Sequence, residues 1–224
     1  MTRDSNIVMT SSGRKAQGLA WSASLLIALA PAGAALVMPA PAMAQFSDSY
    51  KFLDAVRKKD GEVVNDMLSK PSTQIVNTRD ITTGDTALHI VTARRDLLWM
   101  QFIVGKGGNV NARNTKGETP LEIAAELGFS EGVDFLISAG ARVDETNNTG
   151  STPLIDAVSR RDLAVVRSLL KAGANPDRPD NSGRSARDYA SLDGKSSPIL
   201  NEIENSAREH GANGAAHKTY GPSF

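Results

Sequence analysis

The stretch Gly117-Glu118-Thr119-Pro120-Leu121-Glu122 decides the reading, because near copies of it recur at steps of 33 residues. They are Gly84-Asp85-Thr86-Ala87-Leu88-His89, Gly150-Ser151-Thr152-Pro153-Leu154-Ile155 and Gly183-Arg184-Ser185-Ala186-Arg187-Asp188. A second glycine series, Gly107, Gly140 and Gly173, keeps the same step. Self-similarity at such a period marks a stack of small units, each burying its apolar face against its neighbours.

Working outward, Thr119-Pro120 and Thr152-Pro153 each join a hydroxyl able to cap free helix N–H groups to a proline suited to the first helical turn. Each pair therefore predicts a helix start. Thr119 with Glu122, and Ser185 with Asp188, have the spacing of reciprocal capping, so these ends are expected to close themselves. The adjacent apolar pairs Val63-Val64 and Met67-Leu68, like Val165-Val166 and Leu169-Leu170, lie one turn apart and predict the buried stripe of a second helix. Asn109-Val110-Asn111, Arg142-Val143-Asp144 and Asn175-Pro176-Asp177 lead into tight-turn residues and predict projecting fingers. Phe52 to Val64 aligns without a gap onto Leu154 to Val166, which makes residues 46–80 a diverged first unit. The span from Val76 to Gly84 is one residue longer than that from Val110 to Gly117, so a bulged fingertip is expected at Ile81-Thr82-Thr83. The last unit opens its second helix at Pro198 and sets Ile199, Leu200 and Ile203 among polar residues, as an end cap requires.

Period and phrase together resemble the ankyrin repeat, over about residues 46 to 209. The resemblance implies an all-α repeat fold: an ankyrin solenoid of about five helix-turn-helix units with projecting hairpin-like fingers. It further implies a module that binds another protein through its fingertips and the exposed side of its first helices, without catalysis. By position, that surface falls on Thr82, Thr83, Asp85, Arg94, Thr115, Lys116, Glu118, Glu126, Leu127, Asn148, Thr149, Ser151, Ser159, Arg160, Asn181, Ser182 and Arg184. The surface is polar and varied, which suits protein recognition rather than a lipid or nucleic-acid groove, and a monomer is expected.

Composition agrees with this. Lys plus Arg and Asp plus Glu are balanced at 25 each, and the absence of cysteine removes disulfides, thiolate metal sites and cysteine nucleophiles. Of three histidines only His89 lies in the repeats, where it is expected to hydrogen-bond within the framework; His210 and His217 lack further ligands at helical spacing. No phosphate-cradling loop, nucleophile elbow or paired-carboxylate motif is visible, so no catalytic residue, cofactor or metal is expected. Lys58-Lys59-Asp60, Arg94-Arg95-Asp96 and Arg160-Arg161-Asp162 recur where first helices end, with Leu127-Gly128-Phe129 and Asp193-Gly194 interrupting the series. Two readings stand for this ridge: a loop whose Asp caps the next helix, or a basic strip for an acidic partner. Trp99 occupies the place of Val165 and is expected to belong to the core.

The N-terminus carries Arg14 and Lys15, an apolar run from Leu19 to Ala30, then Ala42-Met43-Ala44, which is the layout of a signal peptide cleaved before Gln45. Removing residues 1–44 takes Arg3, Arg14, Lys15 and Asp4, leaving the remainder mildly acidic. An uncleaved anchor lengthened by Leu36-Val37-Met38 is the alternative, and Met9 is an alternative start. The expected division is a signal peptide over 1–44, a repeat domain over 45–209 and a disordered tail over 210–224. The functional expectation is a periplasmic or secreted protein-binding module, an accessory or inhibitor of a periplasmic protein. A membrane-tethered scaffold and an enzyme of unrecognised kind are the alternatives.

Overall fold

The computed structural model describes the backbone of residues 40–70, 75–192, 194 and 197–216, and within these the side chains from Asp48 to Arg208. The expected leader lies outside the described residues up to position 39. Among the described residues ten helices make five pairs: α1 (Ala40–Lys58) with α2 (Gly61–Ser69), α3 (Ala87–Ala93) with α4 (Leu97–Gly105), α5 (Pro120–Glu126) with α6 (Ser130–Ser138), α7 (Pro153–Ser159) with α8 (Leu163–Lys171), and α9 (Ala186–Ser191) with α10 (Pro198–Ala216). First helices pack on first helices in the order α1, α3, α5, α7, α9, while α4, α6, α8 and α10 form the second layer. This is an all-α repeat solenoid.

The helix starts follow from their caps. Thr119 Oγ1 accepts the Glu122 N–H at 3.3 Å and Thr152 Oγ1 accepts the Ile155 N–H at 3.2 Å, each with proline in the first turn. Ser185 and Asp188 close their end reciprocally. Thr119 and Glu122 do not: the Glu122 carboxylate makes no return bond, and both of its oxygens are buried without a hydrogen-bond partner.

Between the helices of a pair the chain turns through one left-handed residue, Lys59, Arg95, Arg161, Gly128 or Gly194. The following aspartates cap the second helices, Asp60 accepting from Val63, Asp96 from Trp99 and Asp162 from Val165. In the third unit Phe129 replaces the aspartate; α6 has no side-chain cap, and the ring is instead 8% exposed against the core.

The apolar stripes meet between units. Val64, Met100, Ile103, Val133, Leu136, Val165, Val166 and Leu169 are all fully buried, together with Leu88, Leu121 and Leu154 from the first helices. Trp99 departs from the expectation. It is only half-buried, packs edge-on to Phe102 at 5.9 Å and lies under the Arg94 guanidinium at 5.6 Å, leaving the core position one residue on to Met100.

Two helices run across the expected domain boundaries. Helix α1 is continuous from Ala40, through the expected cleavage point at Ala44, into the repeat. Helix α10 continues to Ala216, past Glu209 where an irregular tail was expected, and residues 217–224 lie outside the described residues.

Candidate partner-binding surface

Each finger is a tight turn closed by its own backbone: Asn114 N–H to Glu118 O, Asn147 N–H to Ser151 O and Asp180 N–H to Arg184 O, at 2.9 to 3.0 Å. The first finger closes from Asp80 to Asp85, one residue longer, as its sequence predicts. Its extra residue leaves Ile81 88% exposed, while Asp80 Oδ1 accepts the N–H groups of Thr82 and Thr83. With Arg57 at 2.5 Å, these bonds hold the Asp80 carboxyl down at about 2.

Adjacent fingers are stitched at the same place in each unit. Thr115 donates its N–H to Thr83 O, Asn148 to Lys116 O and Asn181 to Thr149 O, and the Asn148 and Asn181 side chains donate to Thr115 O and Asn148 O. This explains the beat of glycines. Gly117 and Gly150 have φ of 79° and 78°, and a Cβ at either would lie 2.5 Å from the side-chain oxygen of Asn148 or Asn181 on the next finger. Gly183, with no further finger beyond it, has open space at the same position.

The surface expected from sequence divides accordingly. Thr82, Thr83, Asp85, Thr115, Lys116, Glu118, Glu126 and Leu127 come together with Ala93, Asn114 and Ile123 around one groove of about 360 Å³, floored by α3 and α5 and walled by the first two fingers. Thr149, Ser182 and Arg184 are exposed farther along the finger edge, and Ser159 and Arg160 are exposed at the end of α7. Asn148 and Asn181 are exposed but engaged in stitching.

Two assignments need correction. Ser151 is 8% exposed, and its hydroxyl donates to Asp156 at 2.7 Å, so it belongs to the interior of its finger. Arg94 is turned inward: its guanidinium donates to the carbonyls of Val56 and Arg57 in the preceding unit and pairs with Asp96 at 3.5 Å. Arg95 likewise donates to Leu127 O and Lys59 pairs with Asp96 at 2.9 Å, so much of the basic ridge serves to join units. The aspartates act as caps, and the capping reading of the ridge is the one the geometry supports.

Sequence reasoning missed a pair of acids. Glu122 stands where the second unit has His89. His89 Nδ1 bonds Thr86 and its Nε2 bonds Glu118 O at 3.1 Å, as expected of a framework histidine, and burial lowers its pKa. Glu122 is 1% exposed, and burial with Asp156 and Glu118 nearby pushes it up to about 8. Asp156 on α7 is half-buried and pushed up to about 6 by burial, with Glu126 and Glu118 adding to the effect. Both carboxyls therefore hold a proton far above the ordinary carboxylate range. In the second unit this slot receives the Thr86 N–H at 3.2 Å, a bond that the Glu122 carboxyl does not reproduce with Thr119.

A second cavity of about 180 Å³ lies at the first unit, lined by Ser49, Tyr50, Leu53 and Arg57 with residues 78–81, and it exposes Tyr50 by 69%. Among the described residues no group of three or more His, Cys, Asp or Glu is placed to hold a metal ion, and no helix is long and apolar enough to cross a membrane.

A stack of helix pairs with stitched fingers is the build of a protein-interaction solenoid. The family model for ankyrin repeats (3 copies) matches residues 52–147 and 100–180, more than half of the chain, and the protein belongs to the ankyrin repeat family. Such domains are generally non-catalytic and bind other proteins. Among curated proteins the chain is similar to diacylglycerol kinase iota of Homo sapiens and of Rattus norvegicus, each 31% identical over 74 residues, and to that of Mus musculus at 30%. These matches cover 33% of this chain but only 7% of each kinase. They are partial matches confined to the repeat region.

Proposed function

We propose that the protein is an exported interaction module that captures a protein partner along the fingers and concave face and acts as an accessory or inhibitor of a periplasmic protein. The observation that carries the binding reading is the groove of about 360 Å³, in which eight residues selected by repeat position alone converge. Its rim is polar and its floor includes Ala93, Ile123 and Leu127, the mixture suited to a folded or extended protein segment. Export rests on the basic, apolar and small-residue order of residues 1–44.

Capture from periplasmic extract on immobilised protein tests the binding reading. A partner retained by the wild type and lost by a Lys116→Ala, Thr149→Ala, Arg184→Ala variant supports it; equal retention by both sinks the finger edge. N-terminal sequencing tests export: Gln45 as first residue supports cleavage. Membrane-bound protein retaining residues 1–44 supports the tethered scaffold.

A further inference from the structure

The groove side of the repeats concentrates negative charge that one exposed lysine, Lys116, offsets only in part. Glu122 and Glu126 lie one turn apart at α5, Glu118 sits at the base of the finger before it, and Asp156 projects from α7 of the next unit. Asp156 and Glu118 raise Glu122, and Glu126 and Glu118 raise Asp156, so the four act on one another across two units. The cations around them are committed elsewhere. Arg113 binds Glu145 at 3.0 Å and Thr146 O, and Arg94 and Arg95 bind carbonyls. Among the described residues Lys116 pairs with the group, at 3.6 Å from Glu118 and with its side chain 76% exposed.

Independently of that count, both Glu122 oxygens are buried without a partner. Two carboxylates offer each other only acceptors, so a lone chain satisfies this pair by retaining a proton, at a cost in stability.

We propose that the groove between the first two fingers takes an arginine or lysine side chain of a protein partner, seated between Glu118 and Glu126. This rests on the concave face being the partner surface, and the two can fail separately: the finger-edge variant is scored on capture of a whole partner, the peptide below on groove charge alone. The backbone of such a segment lies over Ala93, Ile123 and Leu127, with its cation directed at the two glutamates.

The test uses the full repeat protein and a capped Gly-Ala-Arg-Ala-Gly peptide, with the same peptide carrying citrulline as the uncharged control. NMR titration should shift Glu118, Ile123 and Glu126 with the arginine peptide and show about tenfold weaker binding with citrulline, the discrimination expected of a charge-assisted contact. Glu126→Gln, at an exposed residue of the groove, should lower affinity for the arginine peptide several-fold and leave the circular dichroism spectrum unchanged. Equal affinity for the arginine and citrulline peptides overturns the proposal. So do shifts confined to the Tyr50 and Ile81 cavity.

Discussion

The helix-start slots of the second and third units share a backbone and differ in one side chain. His89 uses both ring nitrogens, toward Thr86 in its own unit and Glu118 O in the next, whereas Glu122 uses neither oxygen. The difference teaches what the slot demands. It is a buried position beside a neighbouring finger, and it accepts a group that donates outward or one that stays neutral, but not a bare charge. In the third unit the same slot has become a proton store instead of a strut.

The most severe way to break this comparison is His89→Glu. It removes the bonds to Thr86 and Glu118 O and adds a second buried carboxyl near Glu118, so a loss of about 3–5 kcal/mol is expected, as for an uncompensated buried charge. Urea unfolding at pH 5 and pH 8 checks it. The loss should be larger at pH 8, and equal losses at the two pH values would show that the slot is insensitive to charge.

Next comes Leu169→Ala, a control that alters packing without touching either slot. Leu169 is fully buried where α8 meets the neighbouring units, and the cavity should cost about 2–5 kcal/mol at either pH. A change in urea midpoint corresponding to less than about half a kcal/mol would place the apolar stripe outside the core.

Glu122→Gln sharpens the comparison by making the third slot neutral at every pH. The folded pKa of Glu122, about 8, lies above its ordinary value of 4.5, so the unfolded chain gives up this proton first. Stability attached to the protonated form is fully present below about pH 4.5 and declines as pH rises to about 8. Neutral His89 works in the opposite sense, losing its contribution as pH falls below the ordinary value of 6.5, and Asp80 and Asp180, both held at about 2, lose theirs between the ordinary value of 3.8 and about 2. Subtracting wild type from variant cancels those contributions. The difference should be near zero at pH 4 and grow to about 4 kcal/mol in favour of the variant at pH 8, and a flat difference would remove the proton from Glu122.

How much of this was legible in sequence depended on whether a residue's role repeats. The caps at Thr119, Thr152 and Ser185, the stripe through Leu169 and the extra residue at Ile81 recur or depart from a fixed period, and each was readable. The inward turn of Arg94 was not, because its partners, the Val56 and Arg57 carbonyls, are backbone atoms one unit away that carry no residue-specific mark. Ser151 was misplaced for a similar reason. Its equivalent one unit earlier is Glu118, which lines the groove, and Asp156, five residues on, draws the Ser151 hydroxyl inward. Glu122 fitted a capping pattern in one dimension and broke it in three, since α7 brings a second acid where a donor would be needed.

A smaller effect separates the two kinds of residue on the finger edge itself. Asn148→Ala removes the bond to Thr115 O and the side chain that presses on Gly117, and should cost about 1 kcal/mol, the usual net value of one hydrogen bond. The combined Lys116→Ala, Thr149→Ala, Arg184→Ala variant removes only an exposed pair with Glu118 at 3.6 Å, a bond within one turn to Asn147 at 2.7 Å, and an exposed contact over Tyr189 at 5.9 Å. None of these joins units through its side chain, so each site should change stability by no more than a few tenths of a kcal/mol, and the circular dichroism spectrum should be that of the wild type. Differential scanning calorimetry of the two variants side by side reads the contrast. A triple variant that melts as far below wild type as Asn148→Ala would mean that the whole finger edge is structural, which would leave the groove floor on α3 and α5 as the part of the concave face free to be used for recognition.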